Sequence, residues 1–332
     1  MKNIQIILLA LLTVLATSCG NEFSRPDTTG HEVRLSVRPF YRDMFAGGNT
    51  HELVKKLSAD YGKYFDTYCL QEIRIGQPTD PDFELNFGRF LSYDENNEVI
   101  ATCDSVWDKL DIDDELSDAF SCFGALFPSA PVPQQVLCHF SGFNDKIFVD
   151  STYISFSIEH YLGPNCRFYD WLEIPRYAQR TRTPDYIASD LIKGWIMACL
   201  PEMSGKEDVL TAIIYRAKVL YATHACMPSI DLQTLFGFTD KQLTWCEKNE
   251  SRMWAYMASH KLLYSTNQLD RNKLANEAPY TAFFGNESPG RAATYCAYQI
   301  VRKYMSEKKV PVEMLMNTHD AQSILREAHY NP

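Results

Sequence analysis

The sequence predicts an α+β protein, predominantly helical, with one small mixed or antiparallel sheet packed by helices. Three observations carry this. Apolar residues recur at three- and four-residue spacing through most of the chain. One stretch, residues 134–158, changes to short β-branched and aromatic runs broken by turn formers. No alternation of strand and helix of the doubly wound kind is visible.

The first element is a leader. Lys2 is a basic start, Ile4 to Ala16 an apolar run, and Ala16-Thr17-Ser18 the small residues before Cys19. This arrangement resembles the lipobox of bacterial lipoproteins, which implies removal of residues 1–18 as a signal peptide and acylation of Cys19 with chains such as palmitate. The apolar run is short of the roughly 20 residues that span a bilayer. Residues 19–30 are expected to form a lipidated tether, polar from Asn21 to Gly30, and residues 31–332 a single domain. Gly20 is followed by no acidic run, which favours the outer membrane, facing the periplasm.

Leu53, Leu57, Tyr61, Tyr64, Phe65 and Tyr68 predict an amphipathic helix over 51–68, and Leu116, Phe120, Phe123 and Phe127 a second over 113–127, ended by Pro128. Strands are expected at 134–140, 146–149 and 153–158, separated by Gly142-Phe143-Asn144-Asp145 and Asp150-Ser151. Thr183-Pro184 reads as an N-cap for a helix to about Leu200. A helix over 207–226 follows, then one opened by a Thr239/Gln242 capping box and running to about Leu263, then one capped by Ser288-Pro289 and running to about Met305.

With 45% apolar and 13% aromatic residues the chain can bury a substantial core, which excludes intrinsic disorder. Removal of the leader takes one lysine from 32 basic residues against 42 acidic ones, so the mature charge is 31 − 42 = −11. That argues against nucleic-acid partners. Nine cysteines follow Cys19, from Cys69 to Cys296, without a C-x-x-C pair, so zinc-ribbon and thioredoxin-like readings fail.

Catalytic patterns are absent. His51-Glu52 lacks a second histidine one turn later, where Lys55 stands. Glu159-His160 falls at a strand end, where adjacent side chains point to opposite faces. No Gly-x-Ser-x-Gly, dinucleotide-binding or P-loop motif occurs. The acidic run from Asp108 to Glu115 lacks the glycine and distal glutamate of a calcium loop and fits a helix N-terminus. Trp245, Met253, Trp254, Tyr256 and Met257 have the spacing of core residues.

A resemblance covers about Phe120 to Pro332. It rests on Phe127-Pro128, Ser141-Gly142-Phe143-Asn144, the run Ser157 to Gly163 that includes His160 and Tyr161, and Glu173 to Tyr177. Ala217 to Tyr221, the Gln242 to Glu250 segment with Trp245, Leu263 to Thr266, Glu287 to Arg291 and Gln299 to Met305 continue it. In this order they resemble the gliding-motility lipoprotein GldB family. Arg216-Ala217-Lys218 departs from the family's usual Glu-Gly-Lys. The resemblance implies a lipoprotein required for surface gliding where that occurs, also carried by non-gliding relatives.

The family is similar in turn to zinc peptidases of the zincin type, which implies a zincin-like fold and a register. Ser189 and Lys193 would stand where metal-binding histidines stand, Asp190 in place of the catalytic glutamate, and Arg216 in place of the third ligand. With Lys218 these form a vestigial cleft in which Asp190 faces Lys193 or Arg216. Serine, lysine and arginine cannot together hold zinc, so no metal, cofactor or catalytic residue is expected. The implied role is non-catalytic, binding an envelope protein or peptide in support of gliding or coupled secretion. The alternatives are a metallohydrolase drawing ligands from His51, Glu52, Glu159, His160 and His224, and a glycan-binding lipoprotein presenting aromatic side chains.

Overall fold

The computed structural model describes residues 23–200 and 207–332. The leader and Cys19 lie outside the described residues. The protein is α+β as expected, mostly helical, with one four-stranded mixed sheet.

The strands are β1 (Val37–Arg38), β2 (Gln135–His139), β3 (Ile147–Val149) and β4 (Tyr153–Ser157), in the order β1-β2-β4-β3. β1, β2 and β4 run parallel, and β3 returns antiparallel on the edge. Three strands match the expected ranges; β1 was not foreseen. It joins β2 through a long helical excursion, so one parallel crossover exists where no strand–helix alternation was visible. β4 is buried along its whole length and β2 along most of it, which explains their continuous apolar and small-residue character.

The longer helices are α1 (Thr50–Tyr61), α2 (Phe83–Leu91), α3 (Asp94–Trp107), α4 (Asp113–Leu126), α5 (Ile187–Cys199), α6 (Val209–Cys226), α7 (Asp240–Ser259), α8 (Gln268–Ala275), α9 (Ala292–Lys308) and α10 (Ala321–Ala328). The helix expected over 51–68 is broken at Gly62, whose φ of +50° the right-handed helix does not accommodate. The chain resumes over Lys63–Thr67 and continues as a π-helical turn, Tyr68–Glu72. The acidic run is structural: Asp108 pairs with Arg42 at 2.6 Å, and Asp113 accepts from the Val37 amide at 3.0 Å, which holds β1 at the start of α4.

Two caps differ from expectation. Thr183 makes no side-chain bond to the backbone of the helix start; a 3-10 turn over Pro184–Tyr186 leads into α5 instead. Ser288 does not cap α9. Its hydroxyl turns to the carbonyl oxygens of Thr281 and Gly285, while Arg291, at φ +60°, occupies the cap position. The Thr239/Gln242 box at α7 forms as expected, and Asp208 caps α6 through the Thr211 amide at 2.8 Å. α7 ends at Ser259, and a 3-10 turn carries the chain on through Leu262–Tyr264.

The apolar interior divides into two clusters. The first surrounds the sheet, with α5 against β3 and β4, and the aromatics Phe40, Tyr64, Phe65 and Tyr68 on the opposite side. The second is helical, built on α6 and α9 with α7, α8 and α10 around them. α6 is buried on nearly every side, as befits a helix that packs on both clusters. The polar stretch after Cys19 is laid against the body from Phe23 onward. That ring is buried between Tyr221 and His224, at centroid distances of 4.8 and 4.2 Å.

Candidate functional site

The seam between the two clusters opens into a pocket of about 520 Å³. α5 supplies Lys193 and Met197; Glu207 and Asp208 precede α6, which adds the face from Thr211 to Leu220 that includes Arg216; Phe236 ends the helix Leu232–Phe236 and Phe238 follows it; α8 gives Arg271, and Arg291 and Thr294 stand at the start of α9.

On α5 the helical period sorts the side chains. Ser189 faces the core, fully buried, and its hydroxyl donates to the Tyr186 carbonyl at 3.1 Å. Asp190, one residue on, faces the sheet side of the seam. It accepts from Lys146 Nζ at 2.6 Å and from the Tyr161 hydroxyl at 3.2 Å, with Lys193 Nζ at 3.8 Å. Lys146 also lies over the Tyr161 ring, 4.5 Å from its centroid. Burial works to raise the Asp190 pKa, but Lys146 and Lys193 with these hydrogen bonds hold it below the usual carboxylate range. Lys193 is lowered to about 8, chiefly by burial, with Arg291 and Lys146 adding like-charge repulsion against the attraction of Asp190.

Arg216 stands at the pocket rim, and Nη2 donates to Asn276 Oδ1 at 2.7 Å. Its pKa falls below the ordinary guanidinium value through desolvation, then through the charge on Arg291. Arg291 donates to the Phe236 carbonyl at 3.0 Å and faces Glu277 at 3.4 Å. Of the expected cleft residues, Lys193 and Arg216 therefore share the pocket, and Asp190 touches it through Lys193. Lys218 does not belong to it. Its ammonium is buried on another side of α6 and donates to the carbonyl oxygens of Met316 and Thr318 at 2.9 and 2.8 Å.

The remaining motif residues divide between scaffold and site. Glu159 and His160 stand in a 3-10 turn, Ile158–Tyr161, rather than on the strand, and both are buried. Oε1 of Glu159 accepts from the Ser141 and Phe143 amides at 2.7 and 3.0 Å. His160 Nδ1 meets Arg182 Nη1; burial, then the Arg182 charge, lowers its pKa to about 3, so the ring is neutral. Gly163, at φ +101°, donates its amide to the Arg182 carbonyl at 2.8 Å. Tyr161 alone of this run reaches the site, through Asp190. Trp245 and Trp254 pack on the second cluster, and Glu250 accepts from the Tyr330 hydroxyl at 2.6 Å.

The five residues of the alternative metal set do not converge. His51 is exposed and pairs with Glu84 at 2.8 Å, His160 meets Arg182, and His224 bonds Tyr298 at 2.6 Å. Among the described residues no three His, Cys, Asp or Glu side chains are placed to hold a metal ion. Sequence reasoning missed Lys146, Glu277, Phe236 and Phe238. None carries a local signal: Lys146 lies 44 positions before its partner Asp190.

The family model described as gliding motility protein GldB matches residues 21–332. The chain belongs to the GldB family. It is thereby a gliding-motility-associated lipoprotein. No helix among the described residues is long and apolar enough to cross a membrane. Neither a curated protein nor a solved structure matches the chain.

Proposed function

We propose that this GldB-family protein is a non-catalytic, lipid-anchored component of the gliding or coupled secretion machinery, holding a protein or peptide partner at the seam between α5, α6 and α9. The observation that carries the reading is the state of Asp190. Its carboxylate already accepts from Lys146 and Tyr161, next to Lys193. A carboxylate held ionised by lysines is a poor proton acceptor, because the proton it would gain is disfavoured by those charges. The adjoining pocket offers cations and apolar surface, features of a binding surface. The vestigial-peptidase origin of the α5 register belongs to this reading, as does placement in the outer membrane facing the periplasm.

The test is capture from detergent-solubilised envelopes at native abundance. Wild-type protein should recover a reproducible partner, and Asp190→Asn or Arg216→Gln should weaken it. Recovery of the protein alone would overturn the reading. Protease shaving of intact cells should leave the protein uncut if it faces the periplasm.

A further inference from the structure

The pocket at the seam has a charge imbalance that its own residues do not resolve. In the pocket and at its margins four carboxylates, Asp190, Glu207, Asp208 and Glu277, face five cations: Lys146, Lys193, Arg216, Arg271 and Arg291. Lys146 takes the short bond to Asp190, Glu277 faces Arg291, Arg271 pairs with Glu207 at 3.3 Å, and Asp208 is engaged by the Thr211 amide at the start of α6. Lys193 is left 3.8 Å from a shared carboxylate, and the one hydrogen bond described for Arg216 is to the neutral Asn276. Like charges gathered at one wall are stabilised by an anion placed among them. A guanidinium fork with a lysine beside it suits a carboxylate, which accepts two parallel N–H bonds.

Beside the cations the wall is apolar, with Met197 half exposed and Val219, Leu220, Phe236 and Phe238 continuing it. Within the same pocket stands Thr294, 3% exposed, whose hydroxyl has no hydrogen-bond partner among the described residues. A buried hydroxyl left unpaired costs about 1–3 kcal/mol, which a ligand amide or carbonyl would relieve.

We propose that the pocket takes the free C-terminal carboxylate of a peptide whose last residue is apolar. In that group a carboxylate and an apolar side chain branch from one carbon, and the preceding amide lies within reach of a hydroxyl such as Thr294. An acyl carboxylate would fill the apolar wall but leave Thr294 unpaired. The inference rests on the seam being the partner site, and names what the partner presents there.

The experiment uses the full-length lipidated protein in nanodiscs, with calorimetric titration of an equimolar mixture of acetylated tetrapeptides ending in leucine, isoleucine, methionine or phenylalanine. The free acids should bind at least tenfold more tightly than the same peptides amidated. Arg216→Gln should lose that tenfold for the acids while changing the amides little, and Lys109→Gln in the exposed turn after α3 should change neither; circular dichroism confirms that both variants fold. Equal affinity for acids and amides overturns the carboxylate inference and leaves peptide binding standing. Binding of decanoate with no peptide binding also overturns it, in favour of an acyl chain. If no peptide binds yet envelope capture still returns a partner lost in Arg216→Gln, the inference fails alone. If capture fails as well, the seam reading falls with it.

Discussion

The two apolar clusters handle buried ionisable groups differently. The sheet-side cluster encloses Glu72, His139 and Glu159, and each retains polar atoms without a hydrogen-bond partner among the described residues. Glu72 Oε2 and His139 Nε2 approach only to 3.9 Å. On α6, which packs on both clusters, the buried Lys218 ammonium is bonded to two carbonyls, one of them that of Met316 in the sheet-side cluster. The helical cluster packs by small residues: Ala292, Ala293 and Ala297 on α9, and Ala217 and Ala225 on α6. The sheet side therefore carries unpaired carboxylate and imidazole atoms, and the helical side, apart from Lys218, whose pKa burial lowers to about 8, carries steric constraint. The first should respond to pH at and below neutrality, and the second chiefly to added volume.

The most disruptive change is expected at Gly290, on the approach to α9. A Cβ there would stand 2.2 Å from the Ala278 carbonyl oxygen, and a backbone atom cannot turn aside. Gly290→Ala should cost more than about 3 kcal/mol or prevent folding. A thermal melt within a degree of wild type would break the steric side of the comparison. Lys218→Ala should follow, at about 2–4 kcal/mol, since it leaves two carbonyls without their donor and opens a void. Chemical denaturation reads this directly.

On the sheet side, Glu72→Gln tests the titratable burden. Burial raises the Glu72 pKa from 4.5 to about 7. Between these values the folded state keeps a proton that the unfolded chain has released, so this residue's contribution to stability falls as pH rises. His139 acts with the opposite sign. Burial lowers its pKa from 6.5 to about 3, so the unfolded chain binds the extra proton and stability falls as pH drops through that window. Comparing variant with wild type removes the common histidine contribution. The Glu72→Gln variant should gain on wild type as pH rises through the window between the unfolded and folded pKa values, and hold a lead on the order of 2 kcal/mol above it. A constant difference across that range would contradict the assignment.

Gly194 offers the smallest effect and the sharpest contrast with Gly290. A Cβ there would meet Ile147 Cγ2 at 2.9 Å, a side-chain methyl that can move. Repacking costs about 1 kcal/mol, and alanine's better helix propensity returns up to about 1 kcal/mol. Gly194→Ala should therefore change stability by less than about 1 kcal/mol, measured in the same denaturation series.

What could be read from residues alone follows the same physical divide. β2, β3 and β4 were legible because their apolar and β-branched runs are bounded by turn formers. β1 was not, since two residues carry no period, and the amides of Val37 and of Leu35 just before the strand are held by side chains of α4. The Thr239 cap was legible because both halves of its box lie three residues apart. Ser288 misled because its hydroxyl is claimed by Thr281, seven positions earlier. At the site, Asp190 and Lys193 were legible as neighbours one helical turn apart. Lys146, Glu277 and the Phe236-to-Phe238 turn reach the seam through tertiary packing, which no local spacing records. Lys218 shares a helix with Arg216 but, two residues on, points to another face.

The burial of Phe23 has a geometric consequence. It lies four residues after Cys19, and four residues extend at most about 14 Å. An acyl group on Cys19 would therefore give the body almost no leash. The surface bearing Tyr221 would stay within about 14 Å of the anchored residue, close to the headgroups.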